Sequence, residues 1–149
     1  MPRWLYSTIL RLLAPFVFLR LWLRGRQAPD YRLRWRERLG LAPAAASLPP
    51  AGARPLWLHA VSVGETLAAR PLVDALRRQH PALPLLITTM TPTGSERVRA
   101  IWGDQVLHVY APYDFPGAVR RFLARWQPRA LVIMETELWP NMLAESRRQ

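Results

Sequence analysis

Two residue types are missing from this sequence, and each absence excludes a class of chemistry. The 149 residues include no cysteine, which excludes a disulfide scaffold, a cysteine-ligated zinc site and a thiol nucleophile. All 21 basic residues are arginine, so a phosphate loop built on lysine and a Schiff-base lysine are also excluded. The three histidines, His59, His80 and His108, form no pair at metal-ligand spacing, so we predict no metal site and no cofactor. His59 lies within an apolar run and is interpreted as a core residue.

Acidic residues are few, ten against 21 arginines, which gives a formal net charge of +11. Residues 1–38 hold nine of the arginines and only two acids, so a local charge of +7 accumulates at the N-terminus. The rest of the chain has 12 arginines and eight acids and is closer to neutral. Half of all residues are hydrophobic, which predicts a globular domain with a sizeable core.

The first long apolar stretch is WLYSTILRLLAPFVFLRLWL (residues 4–23), and Arg11 and Arg20 interrupt it. A membrane-spanning helix needs about 20 predominantly apolar residues, and an arginine near its centre costs about 2.5–3.5 kcal/mol. On a helical wheel the arginines fall on one half and most tryptophan, phenylalanine and leucine residues on the other. This pattern is typical of a helix that lies in the membrane interface. A tilted span with snorkelling arginines and a core helix of a soluble protein are the alternatives.

Three regions are predicted along the chain. Residues 1–41 form a membrane anchor that ends in a basic juxtamembrane helix over residues 30–41, which suits anionic headgroups and a cytoplasmic location. Residues 42–55, APAAASLPPAGARP, are a proline- and alanine-rich linker that holds no lasting regular structure. Residues 56–149 form the folded domain.

Within that domain, short apolar runs alternate with helical stretches, which predicts β-α-β units around a Rossmann-like parallel sheet. The predicted strands are 56–61, 83–89, 106–110 and 130–134, and the predicted helices are 66–79, 94–102, 115–126 and 141–148. Polar residues follow each strand at its carboxyl end, where parallel α/β proteins bind their ligands. The connections at the opposite edge carry no comparable polar groups, so we predict one site at the carboxyl edge of the sheet.

The first of these loops delivers a carboxylate, Glu65, to the start of a helix. The spacing of Ser62 and Glu65 fits a capping box, in which the serine caps the helix and the glutamate returns a hydrogen bond. A carboxylate at the ligand-binding edge also fits a general base. The sequence leaves these two interpretations equally open, and the same capping pattern recurs at residues 93–96.

The other loops add further candidates. Thr91, Thr93 and Gly94 resemble a cradle of hydroxyl and helix N–H groups for a phosphate or sugar, with helix capping as the alternative. Glu135 directly follows an apolar run in which an unpaired carboxylate is expensive to bury, so it needs a partner or a function. Glu137 lies two residues further on, so in an extended chain the two carboxylates share a site or repel each other. The alternative is that one of them caps the following helix.

Four stretches carry a specific combination of these features: LHAVSVGETLAARPLV (58–73), ITTMTPTGSERV (87–98), HVYAPYDFPGAVRRFL (108–123) and METELWPN (134–141). Together they resemble the N-terminal half of bacterial 3-deoxy-D-manno-octulosonic acid (Kdo) transferases of lipopolysaccharide assembly, and residues 19–40 are similar as well. The resemblance implies the N-terminal domain of a two-domain GT-B glycosyltransferase held at the cytoplasmic face of the inner membrane.

The resemblance also implies a reaction and its residues. Such enzymes transfer Kdo from CMP-Kdo to a hydroxyl of the lipid A precursor, lipid IVA, with inversion and without a metal. By position in the matching motifs, Glu65 is implied to be the general base and Glu135 to stabilise the transition state. We assign acceptor binding to Ser62, Gly64, Thr91, Thr93, Gly94, Glu137 and Asn141. The donor CMP-Kdo belongs to a C-terminal domain that the sequence does not contain, so we expect the chain alone to be inactive.

Two other functions compete with this interpretation. A membrane-attached lipid-binding or adaptor domain would keep the fold without catalysis. Binding of nucleic acid by the arginine-rich N-terminus would need base-reading or stacking motifs, and the sequence contains none, so we predict no nucleic-acid partner.

Overall fold

The computed structural model describes residues 2–41, 49, 52–135 and 138–149. Its centre is a four-stranded parallel sheet in the order β3-β2-β1-β4, which confirms the predicted fold class. The strands are β1 (Leu56–His59), β2 (Leu85–Thr89), β3 (Leu107–Tyr110) and β4 (Ala130–Ile133). Most of the predicted linker, and the candidate Glu137, lie outside the described residues.

Helices precede the sheet and follow each of its strands. They are α1 (Arg3–Gln27), α2 (Trp35–Arg38), α3 (Val63–Gln79), α4 (Pro92–Trp102), α5 (Pro116–Trp126) and α6 (Pro140–Ser146). Prolines begin three of these helices, at positions where the missing N–H has no intrahelical partner to lose. Helix α4 begins two residues earlier than predicted because Thr91, and not Thr93, is its N-cap.

Alternate residues of the strands point to opposite faces of the sheet, and each face has its own apolar core. On one face Trp57 and Leu86 pack against α5, where the rings of Trp57 and Phe122 are 4.5 Å apart. On the other face Leu58 and Ile87 pack against residues of α3 and α4. Helices therefore cover both faces, and only the edges of the sheet remain for ligands.

The basic segment after α1 differs from the predicted single helix over residues 30–41. A short 3-10 turn, Pro29–Arg32, is followed by a break at Arg34, which adopts a left-handed conformation with φ of 58°. The break turns the Arg34 guanidinium back onto Glu37, with nitrogen–oxygen distances of 2.6 and 2.7 Å. Glu37 and Arg38 are buried against the domain, so part of this segment is a structural element and not a surface for headgroups.

Helix α1 packs along the domain near its start and again past its middle. Near its start, Ser7 donates a hydrogen bond of 3.0 Å to Asn141, and Arg3 pairs with Glu145 at 3.2 Å. Past its middle, Phe18 lies among the rings of Trp35, Tyr113 and Phe115. The helix is long and apolar enough to cross a membrane by length and composition, and little of it is buried. Its outward face includes the apolar residues Trp4, Leu12, Phe16, Leu19, Trp22 and Leu23, and the arginines Arg11, Arg20, Arg24 and Arg26 are exposed as well.

Candidate functional site

The loop after β1 lies in the middle of the carboxyl edge of the sheet. Met90 N–H, from the loop after β2, donates to Val61 O in this loop at 3.0 Å. Met134 N–H, just after β4, donates to His59 O at the end of β1 at 2.9 Å. The strand order places the loops after β2 and β4 on either side of it. The structure thus brings the candidates of three loops to one edge, as the sequence predicts.

Glu65 is buried at this edge, with 5% of its surface exposed. One carboxylate oxygen accepts the Val61 N–H at 2.6 Å, and the other accepts the Ser62 hydroxyl at 2.9 Å. Ser62 is the N-cap residue of α3, but its side chain donates to Glu65 and does not cap the helix. The reciprocal capping box is therefore not formed, and the carboxylate is fixed at the loop by two donors.

The start of α3 is exposed at Gly64. Of the residues that the structure describes, only Ser62 has an atom within 4 Å of a Cβ placed on Gly64, its hydroxyl at 3.9 Å. Packing among the described residues therefore does not explain a glycine here. A ligand that approaches the backbone beside Glu65 would gain from the missing side chain.

The loop after β2 is closely packed against the loop that carries Glu65. Thr91 accepts the Gly94 N–H at 3.1 Å and so caps α4. A Cβ on Gly94 would lie 2.9 Å from the Thr91 hydroxyl and 3.5 Å from the Ser62 carbonyl carbon, so Gly94 is required for this packing. Thr93 is exposed at the same edge, with its hydroxyl 3.4 Å from that of Thr91.

Glu135 lies two residues after the end of β4 and is exposed, so its carboxylate has no burial cost to offset. Its backbone is left-handed, with φ of 62°. This conformation is uncommon for residues other than glycine, asparagine and aspartate, and such residues are concentrated at functional sites. Whether Glu135 shares a site with Glu137 stays a prediction, since residues 136 and 137 are not described.

Asn141 is completely buried behind this edge, beneath α1. Its side-chain amide donates to Asp114 O at 2.7 Å and accepts from the Ser7 hydroxyl. The Asp114 carboxylate in turn accepts the backbone N–H groups of Asn141 and Met142 at 3.0 and 2.7 Å. Burial raises the pKa of Asp114, and these two N–H groups oppose that shift. The network joins the loop after β3, the start of α6 and α1.

The interior histidines are structural. His59 is fully buried, as predicted, with Nδ1 2.9 Å from the Thr88 hydroxyl, and burial lowers its pKa to about 4. His108 lies between Ile87 O and the Ser95 hydroxyl, at 2.9 and 2.8 Å, and burial also lowers its pKa to about 4.

Sequence reasoning missed the inward-facing guanidinium of Arg38. It lies 4.2 Å from the ring centroid of Tyr110, and both terminal nitrogens donate to Met90 O at 3.1 Å. No local pattern marks one arginine of a basic segment as buried. The only signal is its position next to Glu37, whose carboxylate accepts the Tyr110 N–H at 2.7 Å.

Comparisons with known proteins agree with this geometry. A family model described as 3-deoxy-D-manno-octulosonic-acid transferase (kdotransferase) matches residues 33–149. A 3-deoxy-D-manno-octulosonic acid transferase of Haemophilus influenzae is 43% identical over 143 residues, which cover 96% of this chain and 33% of that protein. The 3-deoxy-D-manno-octulosonic acid transferase of Bordetella pertussis is 46% identical over 155 residues, which cover 100% of this chain and 35% of that protein. A probable mitochondrial 3-deoxy-D-manno-octulosonic acid transferase of Arabidopsis thaliana is 37% identical over 139 residues, which cover 93% of this chain and 30% of that protein.

The chain spans about a third of the length of these curated relatives. Its parallel sheet, covered by helices on both faces, is consistent with the N-terminal domain of a GT-B glycosyltransferase. The resemblance drawn from the four sequence motifs is thereby confirmed. Since the family model matches well over half of its residues, the chain belongs to the 3-deoxy-D-manno-octulosonic-acid (Kdo) transferase family and corresponds to the N-terminal part of its members.

Proposed function

We propose that this chain is the acceptor-binding half of a glycosyltransferase that transfers Kdo from CMP-Kdo to lipid IVA in lipopolysaccharide core biosynthesis. The observation that supports it most directly is the carboxylate of Glu65, held by two hydrogen bonds at the carboxyl edge of a parallel sheet. Family membership supplies the class of reaction. We assign the binding of CMP-Kdo to the remaining two thirds of such a protein, which this chain does not match in its relatives.

In the proposed reaction, an oxygen of Glu65 accepts the proton of the acceptor hydroxyl while the hydroxyl oxygen bonds to the anomeric carbon of Kdo. The bond from that carbon to the CMP phosphate oxygen breaks, and the phosphate keeps the electron pair. A single displacement of this kind inverts the configuration and needs no metal. A carboxylate offers about four lone-pair positions, so the two bonds from Val61 and Ser62 leave room for the acceptor hydroxyl.

Glu135 is proposed to stabilise the positive charge that develops on the sugar. Glycosyl transfer passes through an oxocarbenium-like state, and a carboxylate aimed at that charge lowers the barrier. Glu135 is exposed at the end of β4, the strand that pairs with β1 beside the Glu65 loop. The acceptor contacts proposed around the two carboxylates are Ser62, Gly64, Thr91, Thr93, Gly94 and Glu137. Asn141, which is buried, is proposed to support acceptor binding by holding the neighbouring loops.

We place the domain at the cytoplasmic face of the inner membrane, with α1 lying in the membrane interface. Helix α1 contacts the domain near its start, through Arg3 and Ser7, and again past its middle, through Phe18. A spanning orientation would draw the polar domain surface into hydrocarbon, which is strongly unfavourable. An interfacial orientation leaves only the apolar outward face of α1 in the lipid.

The central test is a chimaera in which this chain replaces the matching segment of the Haemophilus influenzae relative. We expect transfer of Kdo from CMP-Kdo to lipid IVA, and we expect Glu65→Gln to lower the rate by about 10²–10⁴-fold, as for loss of a general base. The matched control is Glu96→Gln, which changes the glutamate of the other Ser/Thr-x-x-Glu pattern, exposed on α4. A chimaera that keeps its rate after Glu65→Gln would contradict the assigned role.

The isolated chain is expected to transfer no Kdo, because it covers about a third of the length of its relatives. Measurable transfer by the isolated chain would contradict this. A folded chimaera that binds lipid IVA but never transfers Kdo would instead favour the lipid-binding or adaptor function.

A further inference from the structure

A cavity of about 250 Å³ lies between α1 and the carboxyl edge of the sheet. Its walls include Arg20 and Arg24 from α1, Arg38 from α2, and Met90, Thr91 and Tyr113 from the loops after β2 and β3. Three arginines thus line one space. Among the described residues that line it, none is an aspartate or glutamate.

Arg38 is the buried member of this set, with 1% of its surface exposed. Both terminal nitrogens donate to the same acceptor, Met90 O, and the Nε atom is buried without a hydrogen-bond partner. Within the part of the chain that the structure describes, no carboxylate forms an ion pair with Arg38. The neighbouring Glu37 is occupied by Arg34. A buried guanidinium without a paired carboxylate carries an uncompensated desolvation cost, and a bound anion would offset that cost.

Arg20 and Arg24 complete the set from the membrane side. Both are exposed on α1, and the Arg24 guanidinium lies 5.5 Å from the ring centroid of Tyr31 at the cavity wall. The apolar side chains of Val17 and Leu21 line the same space. A guanidinium group donates two parallel hydrogen bonds to a phosphate group. The apolar wall accommodates the first carbons of a chain attached to that phosphate.

The cavity is adjacent to the Glu65 loop. Met90, at its wall, donates a hydrogen bond of 3.0 Å to Val61 O, and Val61 N–H holds the Glu65 carboxylate. Thr91, also at the wall, caps α4, whose N-terminal end favours negative charge. An anion held here would be fixed one loop away from the proposed base.

We propose that this cavity binds a phosphate monoester group and that Arg20, Arg24 and Arg38 are its binding residues. Only the identity of the molecule that bears the phosphate rests on the proposed function. We take it to be an amphiphilic acceptor whose phosphate enters between α1 and the sheet. Free phosphate offers the same chemistry, and the two sources are separable by experiment.

The test uses the full chain and two probes at constant ionic strength: inorganic phosphate, and phosphatidylcholine vesicles with and without phosphatidic acid. We expect Arg20→Gln and Arg24→Gln each to weaken the phosphatidic-acid-dependent binding about tenfold. The control Arg26→Gln removes the same charge from the exposed surface of the same helix, outside the cavity lining, and should change binding by less than about twofold. Equal losses in all three variants would overturn the proposal and indicate general surface charge.

Arg38→Lys tests the buried position while keeping its charge. We expect an unchanged circular dichroism spectrum and about tenfold weaker binding, since lysine cannot bind a phosphate in the same bidentate way. Normal phosphatidic acid binding by this variant would count against the site. If inorganic phosphate binds and phosphatidic acid adds nothing to vesicle binding, the amphiphilic carrier is overturned.

Failure of this proposal is distinguishable from failure of the proposed function. Binding is measured on the unmodified Glu65 chain without any transfer reaction. If the Glu65→Gln chimaera loses transfer and the arginine variants bind normally, only the phosphate-binding role of the cavity is overturned. Retained transfer in that chimaera with weakened binding by the arginine variants would overturn the general-base role alone.

Discussion

At the scale of single residues, Glu65 shows how one side chain satisfies two interpretations of a motif. The Glu65 carboxylate accepts a backbone N–H, as in a capping box, but the donor is Val61 N–H and not the N–H of the N-cap residue Ser62. The Ser62 side-chain hydroxyl donates to the other carboxylate oxygen. The structural bonds and the proposed catalytic role are therefore compatible, because the bonds orient the group that accepts the proton.

The two interior histidines, His59 and His108, give a prediction on pH. Burial holds the pKa values of His59 and His108 at about 4, against 6.5 in the unfolded chain. Between those values the unfolded chain binds protons that the native chain does not, so stability falls as the pH falls from 6.5 towards 4. Each histidine contributes up to roughly 3 kcal/mol to this loss.

Urea unfolding of the full chain between pH 7 and pH 4.5 measures the effect. The variant His108→Gln should flatten the dependence of stability on pH, whereas the same change at the exposed His80 should leave it as it was. An identical slope in all three proteins would show that other groups determine the acid sensitivity.

At the scale of elements, Gly40 determines how the basic segment docks onto α5. Its φ of +77° is left-handed, and a Cβ would overlap the Ala118 carbonyl oxygen and lie 2.9 Å from its carbonyl carbon. Gly40→Ala is therefore expected to destabilise the chain by about 3 kcal/mol or more, from backbone strain and overpacking together. Urea unfolding monitored by tryptophan fluorescence measures the loss.

The matched control is Gly52→Ala. Gly52 has a similar φ of +79°, but a Cβ there would have no atom of the described residues within 4 Å. We expect a cost of about 1 kcal/mol from strain alone. Equal costs at the two positions would mean that contact with α5 does not require a glycine at residue 40.

Elements defined by a local pattern are the ones that the sequence predicts. The apolar runs around Leu58 and Ile87 predict buried strands. The polar residues after these runs predict the candidate site at the carboxyl edge of the sheet. The docking of α1 is different in kind, since the bond between Ser7 and Asn141 joins residues 134 positions apart. The break at Arg34 is also not local in origin, because its guanidinium reaches Ser95 at 2.7 Å as well as Glu37. Periodicity contains no information about such partners.

At the scale of the whole molecule, charge and apolar surface are arranged on the same side. Helix α1 contributes exposed apolar side chains, and Arg20 and Arg24, the two arginines of this helix that line the cavity, are exposed as well. A bilayer with anionic headgroups matches both features, because apolar side chains enter the interface and guanidinium groups remain at the phosphates. The carboxyl edge of the sheet, with Glu65, is joined to this side through the cavity wall.

The membrane orientation gives the last prediction. Leu12 and Phe16 expose 71% and 67% of their surfaces on the outward face of α1. Replacing both with glutamine should weaken partition into phosphatidylcholine and phosphatidylglycerol vesicles by about tenfold or more, since each side chain loses its apolar transfer free energy. The same double change at Leu67 and Leu72 of α3, 46% and 40% exposed, is the control and should have little effect. Vesicle flotation measures both variants, and equal losses would show that α1 does not provide the membrane-binding face.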